Sequence, residues 1–140
     1  MSDIGKIARE NVEAYSSGNW DQLKASLSPD CVYDEIGTQR KMKGADELVQ
    51  AYQAWKQAIP DGKGTIKDTL VSGNKVAQEV VWTGTQSGPL QSPGGTIPPS
   101  GKPISVPGAQ VITFEGDKIV ELKQYFNLMT LLQQIGAVSQ

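Results

Sequence analysis

The 140-residue sequence contains no histidine and a single cysteine, Cys31. That removes the usual proton shuttle at neutral pH, any Ser-His or Cys-His nucleophile pair, most zinc sites and any internal disulfide. No metal or cofactor is expected, and chemistry must run on Asp, Glu, Tyr, Lys or the hydrogen bonds of amides. Two amides stand out. In residues 104–126, ISVPGAQVITFEGDKIVELKQYF, Gln110 shares a strand face with Ile112 and Phe114, and Gln124 shares one with Val120, Leu122 and Phe126. Gly116-Asp117-Lys118 reads as a three-residue hairpin loop between them. Bringing the apolar faces together sets Phe114 opposite Val120, Ile112 opposite Leu122 and Gln110 opposite Gln124, with Cβ atoms about 5 Å apart. A one-residue slip would turn Glu121 and Lys123 inward. Two glutamines on an apolar face are either a private hydrogen-bonded pair or the polar floor of a pocket. If they bond to each other, deleting Gln124 strands Gln110.

A carboxylate is the second candidate. In DCVYDEIG, residues 30–37, Val32, Asp34 and Ile36 share one face of a short strand, and Cys31, Tyr33 and Glu35 share the other. An aspartate between two β-branched neighbours reads either as an edge-strand carboxylate capping the next loop or as a pocket carboxylate. The first is the plainer reading. Aromatic side chains that would orient a ring system are Tyr15, Tyr33, Trp55, Trp82 and Phe126, and Asn11 lies within an apolar helical stripe.

These residues need elements to hold them. A helix over residues 3–17 carries Ile4, Ile7, Ala8, Val12 and Tyr15 at helical spacing, with Gly18 as its stop. A second opens on Asn19, runs through Trp20, Leu23 and Leu27, and ends at Ser28-Pro29. A third, over 45–59, buries Leu48, Tyr52, Trp55 and Ile59. Residues 64–71 and 75–85 form a hairpin about Ser72-Gly73-Asn74, and Gln78 sits on the apolar face of its longer strand. Residues 86–102, rich in Gly and Pro, read as a long loop that is mobile unless a partner or ligand covers it, because nothing in it builds a core. Asn127 caps a short terminal helix with Leu128, Leu131, Leu132 and Ile135 as its stripe. Helices ahead of an antiparallel run imply a single α+β domain over residues 1–140, in which a bent sheet leaves an apolar cavity at its open end.

A net charge of −2 and a sequence pI near 5.1 argue against nucleic acid or an anionic membrane as partner. No apolar run reaches the length of a membrane span, and the polar start MSDIGKIAREN gives a cytoplasmic expectation. Ala77, Val81, Thr83, Val111 and Thr113 fall on the outer sheet face, which suits a homodimer.

Taken together, SSGNWDQL, LSPDCVYDEIG, GADELVQAYQAW, VVWTGTQSGPL, IPPSGKPI and GDKIVELKQYFNLMTLLQQIG resemble, in order and spacing, the SnoaL-like polyketide cyclases. These are relatives of ketosteroid isomerase and nuclear transport factor 2, and the resemblance spans nearly the whole chain. It implies a cone-shaped, curved antiparallel sheet packed around three helices (a cystatin-like α+β barrel) with a short C-terminal helix. It also implies a small hydrophobic carbonyl compound as ligand and a dimer formed through the sheet. The cyclases' general acid/base aspartate falls on Gln124 and its assisting histidine on Gln110, neither of which can shuttle a proton. A further family histidine falls on Gln86, and the aspartate that starts the terminal helix falls on Asn127. The isomerase pattern instead places a catalytic base at Asp34 and an oxyanion donor at Gln110. Its tyrosine falls near Asn11, one helical turn from Tyr15. Three functions remain open on these residues: proton transfer, isomerisation or aldol cyclisation by Asp34 with Gln110 and Gln124; ligand binding without chemistry; and a dimeric structural role.

Overall fold

The computed structural model describes residues 3–138. Helix α1 (Ile4–Ser17) starts where the Asp3 carboxylate accepts from the Lys6 amide at 3.0 Å, and it ends at Gly18 in the left-handed region, φ 72°. Helix α2 (Trp20–Ala25) is capped by Asn19, which accepts from the Gln22 amide. The expected extension to Leu27 does not occur. The chain turns at Ser26, and Leu27 opens strand β1 (Leu27–Glu35), whose side chains alternate until Glu35 is buried at its end. Strand β2 (Arg40–Lys43), absent from the periodicity, pairs with β1. Helix α3 (Ala45–Ala58) follows Gly44 and buries Leu48, Ala51 and Tyr52. Strands β3 (Lys63–Ser72), β4 (Lys75–Thr85), β7 (Pro103–Glu115) and β8 (Lys118–Phe126) complete a curved sheet in the order β2-β1-β8-β7-β4-β3. The α+β architecture is as expected, including the short C-terminal helix α4 (Leu128–Gln134) capped by Asn127. One pairing departs from the antiparallel pattern: β1 runs parallel to β8, because α3 and two hairpins intervene between them.

The β7–β8 hairpin keeps Ile112 opposite Leu122 and Gln110 opposite Gln124, but Phe114 faces Ile119 rather than Val120. A bulge between Thr113 and Phe114 takes up the difference and shortens the turn to Gly116-Asp117. Ile119 thereby becomes the fully buried residue, while Val120 stays half-buried.

The register creates a row of polar side chains across four adjacent strands. Glu35 on β1 is level with Gln124 on β8, Gln124 with Gln110 on β7, and Gln110 with Gln78 on β4. All four are buried. Below the row lies one apolar core, with Tyr33, Val76, Ile112, Phe114, Ile119 and Leu122 from the sheet. Above it lies a second, in which Ile104 and Val106 of β7 meet Ile59, Leu90, Leu131 and Ile135.

Residues 86–102 hold more structure than their composition suggests. Gln86 is fully buried; its Nε2 donates to the carbonyls of Gly88 and Pro98, and its Oε1 accepts from the Ser100 amide. Leu90 is buried in the second core, so this segment does contribute to packing. Leu90 begins a small hairpin of β5 (Leu90–Ser92) with β6 (Gly95–Ile97). At the far end, the Gln134 amide grips Ser105 on both sides, accepting from its N–H at 2.8 Å and donating to its carbonyl at 2.9 Å.

Gly88 docks this segment on α3. Its N–H donates to the Ala58 carbonyl at 3.0 Å, and a Cβ there would lie 1.9 Å from the Gln57 carbonyl oxygen. Gly88→Ala is therefore expected to push the segment off α3 and cost on the order of 2 kcal/mol, seen as a lowered midpoint in urea unfolding. An unchanged midpoint would show that the docking contributes nothing.

Candidate functional site

The seam between the two cores is not fully filled. A cavity of about 70 Å³ lies there, lined from the first core by Tyr15, Tyr52 and Trp82 and from the second by Ile59, Ile104, Val106 and Leu131. Trp55, Gly62, Thr83, Phe126 and Gln124 complete its wall, and the exposed Lys63 stands at the mouth. The enclosed part has room for on the order of five waters. Only the tip of a larger ligand would be enclosed, with the rest in the mouth.

The aromatic walls brace one another edge to face. Tyr15 meets Tyr52 at 5.5 Å and Trp82 at 5.6 Å between ring centroids, and Trp55 meets Phe126 at 5.7 Å. Each such contact adds about 0.5–1.5 kcal/mol beyond area burial, so these rings hold their positions. Burial drives the Tyr15 hydroxyl pKa well above its ordinary value. Tyr52 is raised by burial first and then by the Glu35 charge. Both phenols remain protonated at neutral pH, and the cavity wall contains no carboxylate or imidazole.

Of the residues singled out in the sequence, Tyr15, Trp55, Trp82, Phe126 and Gln124 line the cavity. Asp34, Gln110, Tyr33 and Asn11 do not. Asp34 belongs to the outer face, level with Lys41 on one side and Lys123 on the other, so the structure corrects its placement as a pocket carboxylate. Alternation along β1 sends Cys31, Tyr33 and Glu35 inward instead. Asn11 lies on the buried face of α1, where its Nδ2 donates to Ser26 Oγ. Gln110 lies beneath the cavity floor, accepting from Gln78 Nε2 at 2.8 Å and donating to the Tyr52 hydroxyl at 3.4 Å. Gln110 therefore does not depend on Gln124, and the private-pair reading is not what forms.

Glu35 is the inward carboxylate that sequence reasoning passed over. After β1 the chain makes one 3-10 turn, Ile36–Thr38, and Gln39 enters the left-handed region at φ 60°. That reversal brings Thr38 and Arg40 back onto Glu35. Five donors converge on it. Oε1 accepts from Thr38 Oγ1 and from Arg40 Nε and Nη2, the last at 2.6 Å; Oε2 accepts from the Tyr33 hydroxyl at 2.6 Å and Trp55 Nε1 at 2.9 Å. With so many donors aimed at it, Glu35 is a positioning residue that fixes the Trp55 wall, not a base open to a ligand. The signal for it was the company of Cys31 and Tyr33, a buried thiol and a buried phenol, on its face of the strand.

Two cavity-lining residues keep an unmet polar atom. Gln124 Oε1 and Trp82 Nε1 are both buried without a hydrogen-bond partner. Asn11 Oδ1 and Gln78 Oε1 share that condition, but neither residue lines the cavity.

The sequence profile of SnoaL-like polyketide cyclases matches residues 5–135. No curated protein sequence matches the chain. Among solved structures, AclR of Streptomyces galilaeus, for which a hydroxylase activity has been suggested, superposes with a TM-score of 0.84 at 21% identity, covering 100% of this chain and 85% of that one. IdmH of Streptomyces antibioticus, a suggested polyketide cyclase, gives 0.82 at 24% identity over 96% and 99% of the two chains. A protein of ketosteroid isomerase-like fold from Catenulispora acidiphila, solved with trimethylamine, gives 0.79 at 22% identity over 93% and 92%. At these identities the likeness is one of fold.

Two substitutions test the site's construction. Glu35→Gln puts an amide among donors and unpairs Arg40, and is expected to cost about 2–3 kcal/mol and to shift Trp55 emission. Gln124→Met removes a buried acceptor that has no partner while keeping shape. It is expected to raise the melting temperature, by about 1 kcal/mol of stability, with a drop pointing to a hydrogen bond at Gln124 in solution.

Proposed function

The chain belongs to the SnoaL-like polyketide cyclase family, and from that premise we propose that its cavity binds and orients a small hydrophobic carbonyl compound without abstracting a proton from it. The observation that carries this reading is the composition of the wall: aromatic and aliphatic side chains, the Thr83 hydroxyl and the Gln124 amide, with no carboxylate or imidazole and with the exposed Lys63 at the mouth. At the position where the family resemblance implies an acid/base aspartate, Gln124 can donate or accept a hydrogen bond but cannot exchange a proton at pH 7. Asp34 is on the other side of the sheet, and Glu35 is held by five donors. Binding would rest on apolar contact with Trp55, Trp82, Phe126, Ile104 and Val106, at about 25 cal/mol per Å² of apolar surface covered.

We also propose a homodimer through the outer sheet face. Ala77, Val81, Val111 and Thr113 are half-buried there, and Tyr125 is 40% exposed. Thr83 continues that alternation at the cavity end of β4. Among the described residues no helix is long and apolar enough to cross a membrane.

Proton NMR of 1-tetralone incubated with the protein in D2O tests the absence of a base. 1-Tetralone is expected to raise the melting temperature of the wild type, while the wild type leaves the rate of deuterium uptake at the α-carbon unchanged. Gln124→Asp, which places a carboxylate in the wall, is expected to accelerate that uptake. Exchange by the wild type at a rate well above buffer would overturn the reading. For the dimer, a solution mass near that of one chain at micromolar concentration would be decisive against it.

A further inference from the structure

Resting on the binding reading above, we infer that α4 is a hinged lid that controls entry to the cavity, turning at Asn127 and latched by the clasp of Gln134 on Ser105. Every lining residue but one comes from the sheet, from α1 or α3, or from the turn that follows α3. The exception is Leu131 of α4. The other parts of the wall are tied to one another. Strand pairing holds the sheet. Lys56 Nζ, on α3, donates to the carbonyls of Ser16 and Gly62, and Asp61 Oδ1 accepts from the Thr85 amide at 2.7 Å. Those bonds join α1, α3, the turn and β4 into one fixed rim.

Helix α4 is held differently. At seven residues it is too short to persist on its own backbone bonds. Leu131 and Ile135 anchor it in the second core, and its far side, with Asn127 and Met129 exposed, faces solvent into which it can swing. The clasp sits at the level of the mouth. Lys63 is level with Thr83 and Thr83 with Ser105, across β3, β4 and β7, and Gln134 grips Ser105 from the free border. Lys63 and Thr83 both line the cavity, so the latch belongs to the row that forms the opening. Size makes a moving wall necessary. The enclosed volume, about 70 Å³, takes on the order of five waters, fewer heavy atoms than a two-ring ketone carries. Withdrawing Leu131 joins the cavity to the space under α4, and a ligand that fills that space meets Leu131 again on closure. Opening bares Leu131 and Ile135, so the closed form dominates without ligand. The two bonds of Gln134 exist only in the closed form, so losing them speeds opening and leaves the wall intact.

Stopped-flow quenching of tryptophan emission by 1-tetralone tests the lid. The proteins are the wild type, Gln134→Ala, and the double variant Ser105→Cys with Gln134→Cys joined by a short bis-methanethiosulfonate linker. Cys31 is fully buried and spared by the reagent. Entry through a lid makes the observed rate level off at high ligand, at the rate of opening. Gln134→Ala is expected to raise that plateau about threefold to tenfold, as the loss of exposed hydrogen bonds implies. The linked protein is expected to bind about tenfold or more slowly than the wild type, and dithiothreitol, which removes the linker, to restore entry. A linked protein that binds as fast as the wild type, or an unchanged plateau in Gln134→Ala, would overturn the lid and leave the binding reading intact. If 1-tetralone does not bind at all, the binding reading falls. Acrylamide quenching of Trp55 and Trp82 in a Trp20→Phe background then decides the lid without a ligand. There the linker is expected to lower the quenching constant, and an unchanged constant would overturn the inference.

Discussion

The structure depends on one constraint: four buried polar side chains, Glu35, Gln124, Gln110 and Gln78, lie level with one another across the concave face of the sheet. A polar row inside an apolar face is costly unless its members find partners. Glu35 gathers five donors, and Gln78 and Gln110 bond to each other, with Gln78 also reaching the Ala8 carbonyl of α1. Those bonds tie β1 to α3 through Trp55, and β4 to α1. The row also keeps two apolar cores from merging, and the space that remains at their boundary is the cavity. Gln124 is the member that no protein group satisfies at Oε1, and it is the member that faces that space.

This arrangement separates what the register fixes from what the side chains then do. The scaffold still delivers a residue from β8 and one from β7 to the same level of the sheet, because that follows from register. What the two side chains do depends on their chemistry and on their neighbours. Gln110 is held in the network beneath the floor, while Gln124 lines the cavity with its Oε1 unmet. The aromatic walls, braced edge to face, give the cavity its shape.

Much of this was legible in the sequence where alternation decides it. The opposition of Gln110 and Gln124, the buried stripe of α3, the N-caps at Asn19 and Asn127, and the presence of Gln78 on an apolar face all follow from spacing. Alternation stops short at three points. It divides β1 into two faces but does not say which is inside; Ile36, on the Asp34 face, ends up 38% exposed, and Tyr33, on the other, fully buried. It cannot see a bulge when both neighbours, Ile119 and Val120, are β-branched and equally suited to a strand. Composition alone also misjudges residues 86–102, where two side chains, Gln86 and Leu90, supply the order that the surrounding glycines and prolines do not.

The grip of Gln134 on Ser105 bears on how the sheet ends. Strand β8 covers β7 only from Gly108 onward, so residues 103–107 form a free border on that side. On a strand, alternate residues point their amides to the same border. Here these are Pro103, Ser105 and Pro107, and the prolines have no N–H to offer. The one donor left belongs to Ser105, and the Gln134 side chain occupies it. A foreign strand arriving at this border meets no open hydrogen-bonding ladder, so it has nothing to zip onto. At this border, then, strand addition is blocked, and the edges left to the sheet are β2 and β3.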